Sequence, residues 1–185
     1  MGHTVLLVDD DANLLAGLRR ALRNEPYELV TALSAEDALK ILHARDVDVV
    51  ISDENLPGIT GTHFLKRVRE SFADAVRFML TGAATLDVAI DAINEAGVSH
   101  FFTKPCQTTD MAMAIRMALK QKDLIVAAKQ LLFQLRRHEA MMQRLEKQHP
   151  GITQFEEDAD GAIVIGEPPS DYDELMREIK KHLGG

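Results

Sequence analysis

Residues 48–58 read Asp48-Val-Val-Ile-Ser-Asp-Glu-Asn-Leu-Pro-Gly58, a β-branched apolar run that stops on a carboxylate and a Pro-Gly turn. A strand at Asp48–Ser52 without polar alternation is one covered on both faces, the condition of a parallel sheet. Thr4–Val8 has the same character and also stops on acid, at Asp9-Asp10-Asp11. Arg77–Leu80 and His100–Thr103 are shorter runs, and Tyr27–Ala32 is more polar, as suits an edge. Amphipathic stretches separate them: Asn13–Arg23, Ala35–Ala44, Thr62–Glu70, Leu86–Ala96, and a last one opening near Thr109. Ser34, with Asp37 three residues on, predicts the cap of the second helix. Strand and helix thus alternate five times. That pattern predicts an α/β fold, a parallel sheet with helices on both faces and right-handed crossovers.

Composition narrows the function. A net charge of −8 across 185 residues argues against broad electrostatic binding to DNA or to an anionic membrane. Cys106 is the one cysteine, so no intrachain disulfide can form, which fits a reducing compartment. No signal peptide is visible at Met1–Val8, and no apolar run approaches the length of a membrane span. The expectation is a cytoplasmic protein.

In an open parallel sheet, functional groups gather beyond the carboxyl ends of the strands, where strand order reverses. Here those ends carry Asp9-Asp10-Asp11, Asp53, Thr81 and Lys104. Any one of them alone is an ordinary turn or cap, and Asp11 is read as capping the helix at Asn13. Their joint placement at successive strand ends is what chance does not readily supply. Carboxylates crowded together repel unless a cation lies among them, and an all-oxygen set suits Mg²⁺. A carboxylate beside that metal can attack a phosphoryl donor, while Lys104 and the Thr81 hydroxyl stabilise the phosphoryl oxygens.

The segments Val5-Leu-Leu-Val-Asp-Asp10, Val49 to Gly58 with Gly61, Met79-Leu-Thr-Gly82 and Phe102-Thr-Lys-Pro105 resemble receiver domains of two-component response regulators. The resemblance spans about residues 3–120 and implies a flavodoxin-like five-stranded sheet of order 2-1-3-4-5. It also implies that Asp53 is the phosphoacceptor and that Asp9 and Asp10 form the acidic metal pocket. The Asn55 backbone carbonyl would be a further Mg²⁺ ligand, Thr81 the switch hydroxyl and Lys104 the phosphate-sensing ammonium. Phe101 falls at the aromatic switch position, and Lys104-Pro105 is often cis in relatives. Thr60 stands where an acidic residue is frequent. Ala83 and Asn55 are expected to influence phosphoryl lifetime. The implied partner is a histidine kinase or phosphotransfer protein. The chain would catalyse only its own phosphorylation and dephosphorylation, rather than act as an enzyme on a separate substrate.

Beyond the receiver, expected at 1–122, the residues from Asp110 to His149 hold no strong breaker and predict one long helix. Its part at 123–149 carries a heptad-like seam of Leu124, Ala128, Leu131, Leu135, His138, Met142 and Leu145, which predicts a homodimer through a coiled coil. The rival is a helix packed on its own receiver or tail. Residues 150–185 form an acidic tail, read as a hairpin of Ile152–Phe155 and Ala162–Ile165 followed by a short helix from Ser170 to about Leu183. No helix-turn-helix pattern accompanies Arg136-Arg137, so output is expected through association with itself or an unknown downstream protein, not DNA. Two other readings stand beside it: a receiver-fold scaffold that phosphorylation does not regulate, and a calcium-responsive tail. The second rests on the EF-hand-like spacing of Glu156–Glu167.

Overall fold

The computed structural model describes residues 2–82 and 86–150, without the side chains of 86–88, and the backbone of 156–157 and 163–164. In chain order the elements are β1 (His3–Val8), α1 (Ala12–Ala21), β2 (Tyr27–Ala32), α2 (Ala35–Ala44), β3 (Val49–Asp53) and α3 (Gly61–Ser71). They continue with β4 (Val76–Thr81), α4 (Leu86–Asn94), β5 (His100–Thr103), α5 (Thr108–Gln148), β6 (Glu156–Glu157) and β7 (Ile163–Val164). Strands β1 to β5 form one parallel sheet in the order β2-β1-β3-β4-β5, as the resemblance implies. Strand order reverses at β1, between β2 and β3, and the crevice there opens beyond the carboxyl ends of β1 and β3.

The pleat sorts the strands' apolar residues onto two faces. Leu6, Val8, Val50 and Met79 meet Ala38, Leu42, Phe64, Val68 and Ala92 of α2, α3 and α4. Val5, Leu7, Val49, Ile51 and Phe78 meet Leu15 and Leu18 of α1 and Met111, Ile115 and Leu119 of α5. This two-sided burial is why β1 and β3 read as unbroken apolar runs rather than alternating ones.

Local signals set the helix starts. Asp11 caps α1, its side chain accepting from the amides of Asn13 and Leu14, so the helix begins at Ala12, one residue before expectation. Ser34 caps α2 by accepting from the Asp37 amide, and Asp37 itself pairs with Lys40 at 2.7 Å. Thr60 caps α3. Strand β3 is shifted by one residue from the expected Asp48–Ser52. Asp48 stays bonded to both neighbouring strands, its amide donating to the Thr4 carbonyl and its carbonyl accepting from the Val76 amide, each at 2.8 Å, while its carboxylate takes the Thr4 amide at 2.9 Å.

The chain divides into two compact units, Met1–Ala127 and Ala128–Gly185. Within α5, the buried residues run from Met111 to Leu119, and beyond them the helix exposes its apolar side chains. In the tail, Glu156 pairs with Val164 and Glu157 with Ile163 in an antiparallel ladder. The described ladder joins Glu156–Glu157 to Ile163–Val164, and the second of these lies within the expected arm Ala162–Ile165. Ile152–Phe155 and the expected helix from Ser170 lie outside the described residues, as does Ala83. Among the described residues no helix is long and apolar enough to cross a membrane.

Candidate phosphoacceptor site

The register of the sheet assembles the site. Val8 pairs with Ser52, Asp53 with Leu80 and Thr81 with Thr103, so Asp9, Asp53, Thr81 and Lys104 arrive at one rim. Asp9 is 2% exposed, Asp53 4% and Thr81 1%, whereas Asp10 is exposed at the mouth. Asp9 uses both oxygens. Oδ1 accepts from the Asp11 amide at 2.9 Å and Oδ2 from Lys104 Nζ at 2.7 Å. The same Nζ lies 3.0 Å from Asp53 Oδ1, at ion-pair distance. That buried oxygen has no partner besides this ammonium among the described residues. Burial alone would lower the Lys104 pKa; the Asp9 and Asp53 carboxylates outweigh it and hold the ammonium above the ordinary lysine value.

A divalent cation fits this donor set. Carboxylate oxygens of Asp9, Asp10 and Asp53 come within 4.8 Å of one another. Three carboxylates set against one ammonium leave an excess of two negative charges. The donors are all oxygen, and the buried Asp53 Oδ1 still has coordination capacity, which together favour a hard ion that keeps some of its waters.

The loop after β3 holds Asp53 in place. Gly58 takes φ +87, a left-handed conformation that suits glycine, within the turn. The Gly61 amide donates to the Glu54 carbonyl at 2.8 Å. Glu54 accepts from both the amide and the hydroxyl of Thr62, each at 2.9 Å, tying the residue after Asp53 to the first turn of α3. Sequence reasoning missed this role of Glu54. An acid eight residues before a threonine carries no signal unless the loop between them is known to fold back. Asn55 is exposed in the same loop.

At the other flank the Lys104 amide donates to the Thr81 carbonyl at 2.8 Å, and the Lys104-Pro105 bond is cis. Phe101 is half-buried, packed against the core formed by α2, α3 and α4. The seam residues of α5 are not part of this site. Leu124, Ala128, Leu131, Leu135, His138 and Met142 are exposed, and Leu145 is half-buried.

Fold and pocket together define a flavodoxin-like domain whose topological switch point presents an acidic oxygen cluster crossed by one lysine. The response regulator receiver domain family matches residues 5–116, and the chain belongs to that family. It is 35% identical over 121 residues to the hydrogenase transcriptional regulatory protein HoxA of Cupriavidus necator. That match covers 65% of this chain and 25% of HoxA. A 29% match to the C4-dicarboxylate transport transcriptional regulatory protein DctD of Pseudomonas aeruginosa covers 95% of this chain and 39% of that protein. The chain therefore spans about a quarter to two fifths of the length of these curated relatives. Among solved structures, the signal receiver domain of an HD domain-containing protein from Pseudomonas fluorescens Pf-5 is 33% identical with a TM-score of 0.65. That likeness covers 66% of this chain and 98% of the other.

Proposed function

We propose that this chain is a phosphorylation switch that accepts a phosphoryl group on Asp53 from a histidine kinase or phosphotransfer protein. The observation that carries it is Asp53 Oδ1, buried, with Lys104 Nζ as its one partner among the described residues, and clustered with the carboxylates of Asp9 and Asp10. A carboxylate oxygen so placed attacks phosphorus, the bond to the donor nitrogen breaks, and an acyl phosphate forms while the donor imidazole leaves. Asp9, Asp10, Asp53 and the Asn55 backbone carbonyl would hold Mg²⁺, which when bound supplies charge neutralisation for the phosphoryl oxygens. Lys104 then pairs with a phosphoryl oxygen, and the Thr81 hydroxyl turns toward another. Phe101 follows into the space that Thr81 leaves, so the change reaches the edge of the sheet.

Acetyl phosphate with and without Mg²⁺ tests this reading. Labelling of Asp53 that requires the metal is expected; its absence would leave a receiver-fold scaffold that phosphorylation does not regulate. Asp10→Ala should weaken Mg²⁺ binding about tenfold or more, because the residue contributes charge rather than packing. Thermal stability without metal should be unchanged or slightly raised, since one repelling carboxylate is gone. A variant that unfolds yet still binds Mg²⁺ would make Asp10 a structural residue.

Output is proposed to run from the receiver, 1–122, through a helical extension, 123–149, to the tail, 150–185, with the extension pairing two copies. Support comes from the heptad spacing and from Leu131 and Leu135, which are 59% and 50% exposed in the single chain. Leu131→Ala and Leu135→Ala should each weaken the dimer by about 2–3 kcal/mol per chain if the interface packs like a core. Neither should alter the stability of the isolated chain. Sedimentation of the full chain, of a truncation after Lys122 and of the double variant decides it, each with and without beryllofluoride. Monomers throughout would assign output to a different protein partner.

A further inference from the structure

The rim of the sheet opposite the acidic pocket carries a second charged cluster, built on the same strands. His3 opens β1, Asp48 stands just before β3, and Lys122 and Asp123 lie one turn beyond Leu119, the last buried residue of α5. Lys122 Nζ is 2.7 Å from Asp48 Oδ1. Asp48 Oδ2 lies 3.4 Å from His3 Nδ1, and His3 Nε2 lies 3.3 Å from Asp123 Oδ2. Basic and acidic groups therefore alternate through four side chains, and two of those side chains belong to the helix. Alongside, Arg45 pairs with Glu28 and reaches the Thr4 hydroxyl at 3.4 Å, anchoring the neighbouring strands.

Burial alone would raise the Asp48 carboxyl. Lys122, the Thr4 amide and His3 overcome that and hold it below the usual carboxylate range. Lys122 and Asp48 expose only 23% and 17% of their side chains, so salt screens the pair less than it would a fully exposed one. Apolar burial cannot do the same work here. Past Leu119 the large apolar side chains of the next two turns, Leu124, Ile125 and Val126, are all exposed. The hold on this turn of the helix is polar, made by the Lys122–Asp48 ion pair and the His3–Asp123 contact.

We propose that His3, Asp48, Lys122 and Asp123 form a latch that docks α5 onto the receiver beyond the end of its apolar face. Opening the latch releases residues 120–127 and leaves the phosphoacceptor pocket intact. The latch thereby sets where the docked helix ends and the helical extension begins. It owes nothing to Asp53 chemistry, so its deciding readout, hydrogen exchange, is independent of the proposed function.

Amide hydrogen exchange on the full chain compares residues 120–127 with residues 111–119, while acetyl phosphate labelling monitors the pocket. Lys122→Met should speed exchange in 120–127 about fivefold, as expected for loss of a partly buried pair. Exchange in 111–119 and the labelling rate should stay unchanged. His3→Gln should act on the same segment, and salt raised to about 0.5 M should do so in the parent chain more than in Lys122→Met. Unaltered exchange in 120–127 of the double variant Lys122→Met/His3→Gln would overturn the latch. Equal acceleration of 111–119 would do the same, by making the cluster a general stabiliser.

Discussion

Asp53→Asn is expected to abolish labelling from acetyl phosphate. The amide keeps the size and planarity of the carboxylate but has no anionic oxygen to attack phosphorus. It also removes one of the three charges that favour a divalent ion. The fold should survive the change. Lys104 keeps Asp9 as its partner at 2.7 Å, and the loss of one carboxylate relieves repulsion from Asp9 and Asp10. The net change in stability sets the lost Lys104 contact against the relieved repulsion, and is read from the urea midpoint at constant slope. Label that persists and maps to Asp9 or Asp10 would sink the assignment of Asp53.

Gly61→Ala is expected to do the greatest structural damage of any single methyl added near the pocket. A Cβ on Gly61 would lie 2.1 Å from the Asp53 carbonyl oxygen, 2.8 Å from Glu54 Cα and 2.9 Å from the Asp53 carbonyl carbon. All three atoms are backbone, so no flexible side chain can give way. Either α3 retreats by more than an ångström, breaking the Gly61 amide bond to the Glu54 carbonyl, or β3 loses its terminal residue from the ladder. A cost of about 3 kcal/mol is the upper part of the usual range for overpacking, and slower labelling should accompany it. Gly58→Ala is the control. Its φ is +87, but a Cβ there meets nothing nearer than Glu36 Oε1 at 3.9 Å, so only backbone strain of about 1 kcal/mol applies. Equal losses in the two variants would show that the contact beneath Gly61 is not the limiting one.

Much of this architecture is legible from the residues because local pattern and burial agree. Helix α2 has the bounds its sequence predicts, Ala35–Ala44, since a cap, an apolar stripe and a polar exit all point the same way. The rim of the pocket is legible for a similar reason: β1, β3, β4 and β5 each end on or run into a polar residue. What is missed lies in contacts between distant residues. Asp48 reads as the start of an apolar strand, and nothing near it in sequence shows that its carboxylate accepts the Thr4 amide. Gly61 reads as an ordinary helix start, because the carbonyl that excludes a side chain belongs to another segment. His3 and Asp123 stand 120 positions apart, with nothing in either neighbourhood to announce the other. The α5 seam is a different case. Its period is plain in the sequence, but a period names a face and not what meets it.

Lys104, reaching Asp9 at 2.7 Å and Asp53 at 3.0 Å, has a further consequence for the resting chain. A dissolved counterion leaves a site on dilution. A tethered one cannot, because its effective concentration is fixed by the few residues joining it to the sheet. The pocket therefore keeps the same partial neutralisation whatever the surrounding sodium or potassium. What remains is an excess of two negative charges, which a single divalent ion would match. The proposed demand for a charge of two would then be set by a cation the chain carries with it.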